Sequence, residues 1–128
     1  MIMNWTDRSE FRGIDLHDSF VLAWRLKGDR LAFDLDASIW PESPFYERPK
    51  PNEHTCYKPA QLVFEGFSSV NGLMEMGQVS GHIGPDGTKD FDCIDELNET
   101  DSGFKITGEF GSVVISGGTL HFIICEAK

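Results

Sequence analysis

The chain is short of cations. Its 128 residues carry 11 Lys and Arg against 21 Asp and Glu, a formal net charge of −10. Phosphate backbones and anionic lipid surfaces are held by Lys and Arg, so this balance argues against nucleic-acid and membrane partners; it allows a basic one, against the plainer reading that the charge only keeps the chain soluble. Cysteine is scarce. Cys56, Cys93 and Cys125 are an odd count with no CxxC pair, which predicts reduced thiols, no disulfide and no structural zinc. No apolar run approaches the roughly 18 residues that span a bilayer. The first eleven residues include Asp7, Arg8 and Glu10 and lack the apolar centre of a secretory signal, so the expected compartment is the cytoplasm. Chemical motifs are missing as well: no GxGxxG after a strand, no P-loop, no GxSxG and no HExxH, so no cofactor is expected.

Helical periodicity is nearly absent too. Residues 4–11 fit one short helical turn, with Thr6 as cap and Trp5 and Phe11 as anchors. From Ser19 onward the period is two. Phe20, Leu22, Trp24 and Leu26 alternate with Val21, Ala23, Arg25 and Lys27. After Gly28-Asp29, Leu31, Phe33, Leu35, Ala37 and Ile39 alternate with Ala32, Asp34, Asp36 and Ser38. Such alternation around a Gly-containing turn predicts a hairpin with Phe20, Leu22, Trp24, Leu31, Phe33 and Leu35 on its buried face. Arg25 and Lys27 then lie near Asp34 and Asp36 on the wet face.

Residues 40–60 hold five of the six prolines: Pro41, Pro44, Pro49, Pro51 and Pro59. Proline gives no donor to a ladder, so this stretch reads as a long irregular excursion with no central strand. Strands are expected again over 61–70, 73–83, 90–97 and 104–110. A second hairpin is expected from 113–116 and 119–125, joined at Gly117-Gly118. About seven or eight strands with regularly spaced turns predict a single all-β domain, an antiparallel sandwich or a partly open barrel.

Five groups are candidates for chemistry or binding. Asp15, His17 and Asp18 place two carboxylates around an imidazole, a set suited to a metal or to acid–base work; the competing reading is turn chemistry, with Asp15 bonding its own backbone. His54 and Cys56 form a His-x-Cys pair, against which stands an ordinary loop histidine beside a half-buried cysteine. His82 and His121 are lone strand histidines that read as packed or surface residues, and an enzyme would need His17 and His121 to meet. The clusters Asp34/Asp36, Asp90/Asp92 and Asp95/Glu96/Glu99/Asp101 read as solvated strand faces; residues 95–103 lack the spacing of a calcium loop. Last, Trp40, Phe45, Tyr46 and Tyr57 lie among prolines, and stiffly held aromatics are good contact residues unless they fold back to plug the sheet.

The runs FRGIDLHDSFVLAWRLKGDRLAFDLDASIW and GEFGSVVISGGTLHFIIC resemble small bacterial domains of unknown function, some of them grouped with the immunity proteins of toxin systems. The resemblance rests on an LHDS-like opening, the first hairpin and the glycine-rich C-terminal segment, about half of the chain. It supplies no catalytic residues. It implies a cytoplasmic, acidic, non-catalytic binder of a partner protein. The residues themselves point to a non-catalytic binding domain whose contact surface is the 40–57 loop and the acidic strand edges beside it. The alternatives are a calycin-like barrel holding a small apolar ligand and, third, a small hydrolase using Asp15, His17, Asp18 or His121.

Overall fold

The alternation on either side of Gly28-Asp29 builds a long antiparallel hairpin. In the computed structural model, which describes residues 3–49, 51, 56–85, 87 and 89–125, β2 (Ile14–Lys27) pairs with β3 (Arg30–Ile39). Gly28 takes a φ of 61°, and Lys27 lies opposite Arg30. Trp24 faces Phe33 across the ladder, and Arg25 grips Asp34 with both guanidinium nitrogens at 2.6 and 3.2 Å.

The sheet continues through β4 (Cys56–Asn71), β9 (Gly111–Ile124), β8 (Gly103–Gly108) and β7 (Ile94–Thr100), all antiparallel; two-residue β1 (Met3–Asn4) adds to the β7 edge. The six longer strands, in the order β7-β8-β9-β4-β3-β2, curl into a half-barrel. A separate ribbon of β5 (His82–Ile83) and β6 (Lys89–Asp90) lies outside that sheet. The protein is all-β, and the partly open barrel is the architecture adopted. Among the described residues no helix is long and apolar enough to cross a membrane.

Two connections narrow the barrel's open side. Val21 on β2 donates to the carbonyl of Asp92 at 2.9 Å and accepts from the amide of Phe91 at 2.8 Å. At one end, residues 5–13 run from the β7 edge to the β2 edge as two 3-10 turns, Trp5–Asp7 and Ser9–Phe11. The cap of the first turn is Asn4, whose side chain accepts from the Thr6 amide; Thr6 itself lies inside the turn. Trp5 and Phe11 are buried as expected, with Phe11 5.1 Å from Phe122.

The concave face is filled by rings. Phe104, Phe64, Phe33, Phe110, Trp24 and Phe91 form a chain with successive centroids 5.3, 6.3, 4.7, 5.8 and 4.9 Å apart. Edge-to-face packing of this kind adds roughly 0.5–1.5 kcal/mol per pair to what burial alone supplies.

Five expectations need correction. Phe20 and Leu22 are only half-buried, and Val21 takes their place in the core at 0% exposure. The ladder slips between Val21 and Ala23, and this bulge lets Val21 and Trp24 both face inward. Second, residues 113–125 do not form a hairpin. β9 runs unbroken through Gly117 and Gly118, with φ values of 79° and 87°, and beside them β4 bulges by one residue, Ser68, where the Phe67–Gly117 pair is followed by Ser69–Ser116. Third, β4 starts at Cys56, so Tyr57 and Pro59 belong to a central strand. The Pro59 carbonyl accepts from Cys125, just past the end of β9, so the missing donor faces a ladder that is already ending. The expected strand over 73–83 holds only the turn Met76–Gln78 and β5, and that over 90–97 breaks at Asp92, φ 65°.

Candidate binding surface

The loop after β3 is tied down at its base. Trp40 donates its amide to the Gly13 carbonyl at 2.7 Å, and Ser43 donates to Trp40 at 2.9 Å. The buried Ser43 hydroxyl accepts from the Phe45 amide at 3.1 Å, and its carbonyl accepts from Tyr46 at 3.2 Å. Gly13 has a φ of 75°, and a Cβ there would run into the Ser43 backbone nitrogen, so only glycine lets the loop dock this closely. Pro41 and Pro44 fix two further φ angles. On this pinned turn Trp40, Phe45 and Tyr46 remain 49%, 38% and 36% exposed.

An open cleft lies on either side of the turn. One, about 350 Å³, is lined by Trp40, Trp5, Phe11, Asp15 and His17. The other, about 530 Å³, is lined by Pro44, Phe45, Phe122, Ile123, Ile124 and Glu10. Arg12 and Ile14 border both. Burial pushes the Glu10 carboxyl up. The Arg8 hydrogen bond at 3.0 Å, a backbone bond and the charges of Arg8 and His121 outweigh it, leaving Glu10 below its ordinary range. Glu42 and Glu47 are exposed on the same loop, Glu47 with Lys58 at 3.2 Å.

Of the candidate residues, Asp15 and His17 thus share a cleft with Trp40. Tyr57 is half-buried in β4, its ring 5.8 Å from that of Phe20 and its hydroxyl 3.5 Å from Asp18. Asp15, His17 and Asp18 belong to a wide bulge: Leu16 to Ser19 stand opposite the single residue Ala37. Asp15 accepts from the His17 amide at 3.0 Å, and Ser38 donates to Asp18 at 3.2 Å. The buried Ser19 hydroxyl bridges the gap, donating to the Asp15 carbonyl at 2.6 Å and accepting from the Ser38 amide at 2.9 Å. The LHDS run is therefore turn chemistry that holds a bulge open, with His17 exposed against Trp5, ring centroids 5.7 Å apart.

His121 is on β9, with Nε2 3.3 Å from Glu65 and 3.2 Å from Thr119. β3 and β4 lie between its strand and that of His17, about 14 Å measured along the sheet. His54 lies outside the described residues, and Cys56 is buried at 4% exposure. The acidic clusters are largely spent on local partners: Asp34 on Arg25 and Gln61, Asp90 on the Asp92 amide, Glu96 on Lys105 and Glu99 on Arg8. Periodicity missed the Arg12/Ile14 rim and the Phe122–Ile124 wall, because both join the site through a crossing of distant chain segments.

Comparison with protein-family models, with curated proteins and with solved structures finds no match to this chain.

Proposed function

We propose that this protein is a non-catalytic binding domain of the cytoplasm. It recognises a partner protein through the turn bearing Trp40, Phe45 and Tyr46 and the two clefts beside it. The observation that carries this reading is the exposure of three aromatic side chains on a backbone already fixed by four hydrogen bonds and two prolines. A surface ordered before binding loses little entropy on binding, and aromatic anchors in such places supply most of the affinity. The net charge of −10, with Glu10, Asp15, Glu42 and Glu47 around the turn, fits a partner with a basic rim. Supporting a protein partner over a small ligand held inside the barrel is the concave face, occupied by the chain of rings from Phe104 to Phe91.

The test is affinity capture with the wild-type chain and with Trp40→Ala/Phe45→Ala in parallel, followed by titration of any captured protein in purified form. A protein bound by the wild type and lost by the double variant supports the reading. Equal retention by both chains, or capture that depends only on ionic strength, contradicts it.

A further inference from the structure

Away from the aromatic turn, three side chains direct ligating atoms toward one another. His82 is on β5, Asp92 follows β6, and Glu109 sits in the turn between β8 and β9. One imidazole nitrogen and one carboxylate oxygen from each acid all lie within 4.8 Å of one another. We propose that His82, Asp92 and Glu109 form a site for a divalent transition-metal ion of the zinc type.

The donor set carries the choice of ion. A borderline nitrogen with two anionic oxygens suits zinc and its first-row neighbours, whereas calcium and magnesium take oxygen alone. Three protein ligands on an exposed face leave the remaining coordination positions to water. The three residues come from three separate segments, so local acidity in one run does not explain their meeting. Among the described residues neither Asp92 nor Glu109 is paired with Lys or Arg, and the His82 imidazole makes no hydrogen bond. Two carboxylates thus converge on an imidazole with no protein cation between them, in a molecule whose negative charge concentrates cations.

Each ligand is also held from behind. Among the described residues Asp92 is the one non-glycine with positive φ; its carbonyl accepts from Val21, its amide donates to Asp90 and its carboxylate accepts from the Cys93 amide. Glu109 lies between the paired Gly108 and Gly111 and beside the fully buried Phe110, whose carbonyl accepts from Met74 at 2.8 Å. His82 is fixed by pairing with Asp90 across the β5–β6 ribbon. These bonds fix the backbone that carries each ligand and leave the His82 and Glu109 side chains turned to solvent.

The test is calorimetric titration of the full chain with Zn²⁺, alongside His82→Ala, Glu109→Gln, the double variant and the control His121→Ala. The account expects saturable binding of one zinc per chain, about tenfold or more weaker in each single variant, and unchanged in the control. Zn²⁺ should also raise the melting temperature of the wild type and not of the double variant, a readout that does not depend on the heat signal. Absence of saturable binding, or equal binding by the double variant, overturns the proposal and in the second case assigns the zinc to other histidines or thiols. Neither result bears on the aromatic surface.

Discussion

Trp24 donates its indole N–H to the carbonyl of Met74, 2.8 Å away. The same side chain that packs between Phe91 and Phe110 therefore also anchors the irregular segment around Met76–Gln78 to the first hairpin. Trp24→Phe keeps most of the ring packing and removes the donor, and should lower unfolding free energy by roughly 1–3 kcal/mol. Trp24→Ala should lower it by roughly 3–5 kcal/mol. Urea denaturation of the two variants checks both figures; a Trp24→Phe protein as stable as the wild type would mean that the Met74 bond contributes nothing.

Two glycines with similar backbones should respond differently to a methyl group. Gly28 has a φ of 61° and open space around a new Cβ, so Gly28→Ala should cost roughly 1–2 kcal/mol of left-handed strain. Gly118 has a φ of 87°, and a Cβ there would stand 2.7 Å from the Glu65 carbonyl oxygen. Gly118→Ala should therefore cost at least ~1 kcal/mol more than Gly28→Ala. Equal losses in a denaturation experiment would argue against the close approach of β4 and β9 at the bulge.

That pair of glycines also shows how far the sequence could be read. The β2–β3 hairpin was legible because its alternation and its turn agreed. Gly117-Gly118 reads as an equally good turn, since two residues with positive φ serve a hairpin or a strand crossing a partner's bulge alike, and only pairing with β4 decides between them. Pro59 argued against a central strand because the direction its missing N–H would face is invisible without the neighbouring strand. For the surface, Trp40, Phe45 and Tyr46 are legible as aromatics among prolines, whereas Tyr57, near them in sequence, belongs to β4. The convergence of His82, Asp92 and Glu109 left no trace in spacing, since each comes from a separate segment.

Acid should remove one contribution from the wet face of the hairpin. Hydrogen bonds from Arg25, with help from Gln61 and the Arg25 charge, outweigh burial and hold the Asp34 carboxyl below its ordinary 3.8. A folded-state value below the unfolded one stabilises the protein above the ordinary carboxyl range, and that stability is lost as pH falls through the lowered value. The pair is partly exposed, so Asp34→Asn should reduce stability at neutral pH by less than ~1 kcal/mol. The difference from wild type should shrink toward zero below the ordinary carboxyl range. A gap between the two melting curves that stays constant from neutral pH into acid would contradict the pairing.

The three free thiols should label in a fixed order. Cys125 is exposed and should react first. Burial and the charges of Asp92 and Asp95 push the Cys93 thiol up, which keeps it protonated and slow. Cys56, in β4 and 4% exposed, should react only when the protein opens. Timed labelling with a thiol reagent, read by peptide mass, checks the sequence of modification; early labelling of Cys56 would contradict its place in the core.

The central claim is that the aromatic side chains of the 40–46 turn face a partner and leave the core intact. The most direct measurement pairs the melting temperature of Trp40→Ala/Phe45→Ala with its affinity for the protein captured by the wild type. Both side chains are more than a third exposed and the turn's hydrogen bonds come mostly from its backbone, so the melting temperature should stay within about 2–3 °C, equivalent to less than ~1 kcal/mol. Affinity should fall by about a hundredfold, the loss of two hot-spot side chains. Undiminished affinity in a folded variant, or a melting temperature lower by ten degrees or so, as a plug of the barrel end would give, contradicts the account.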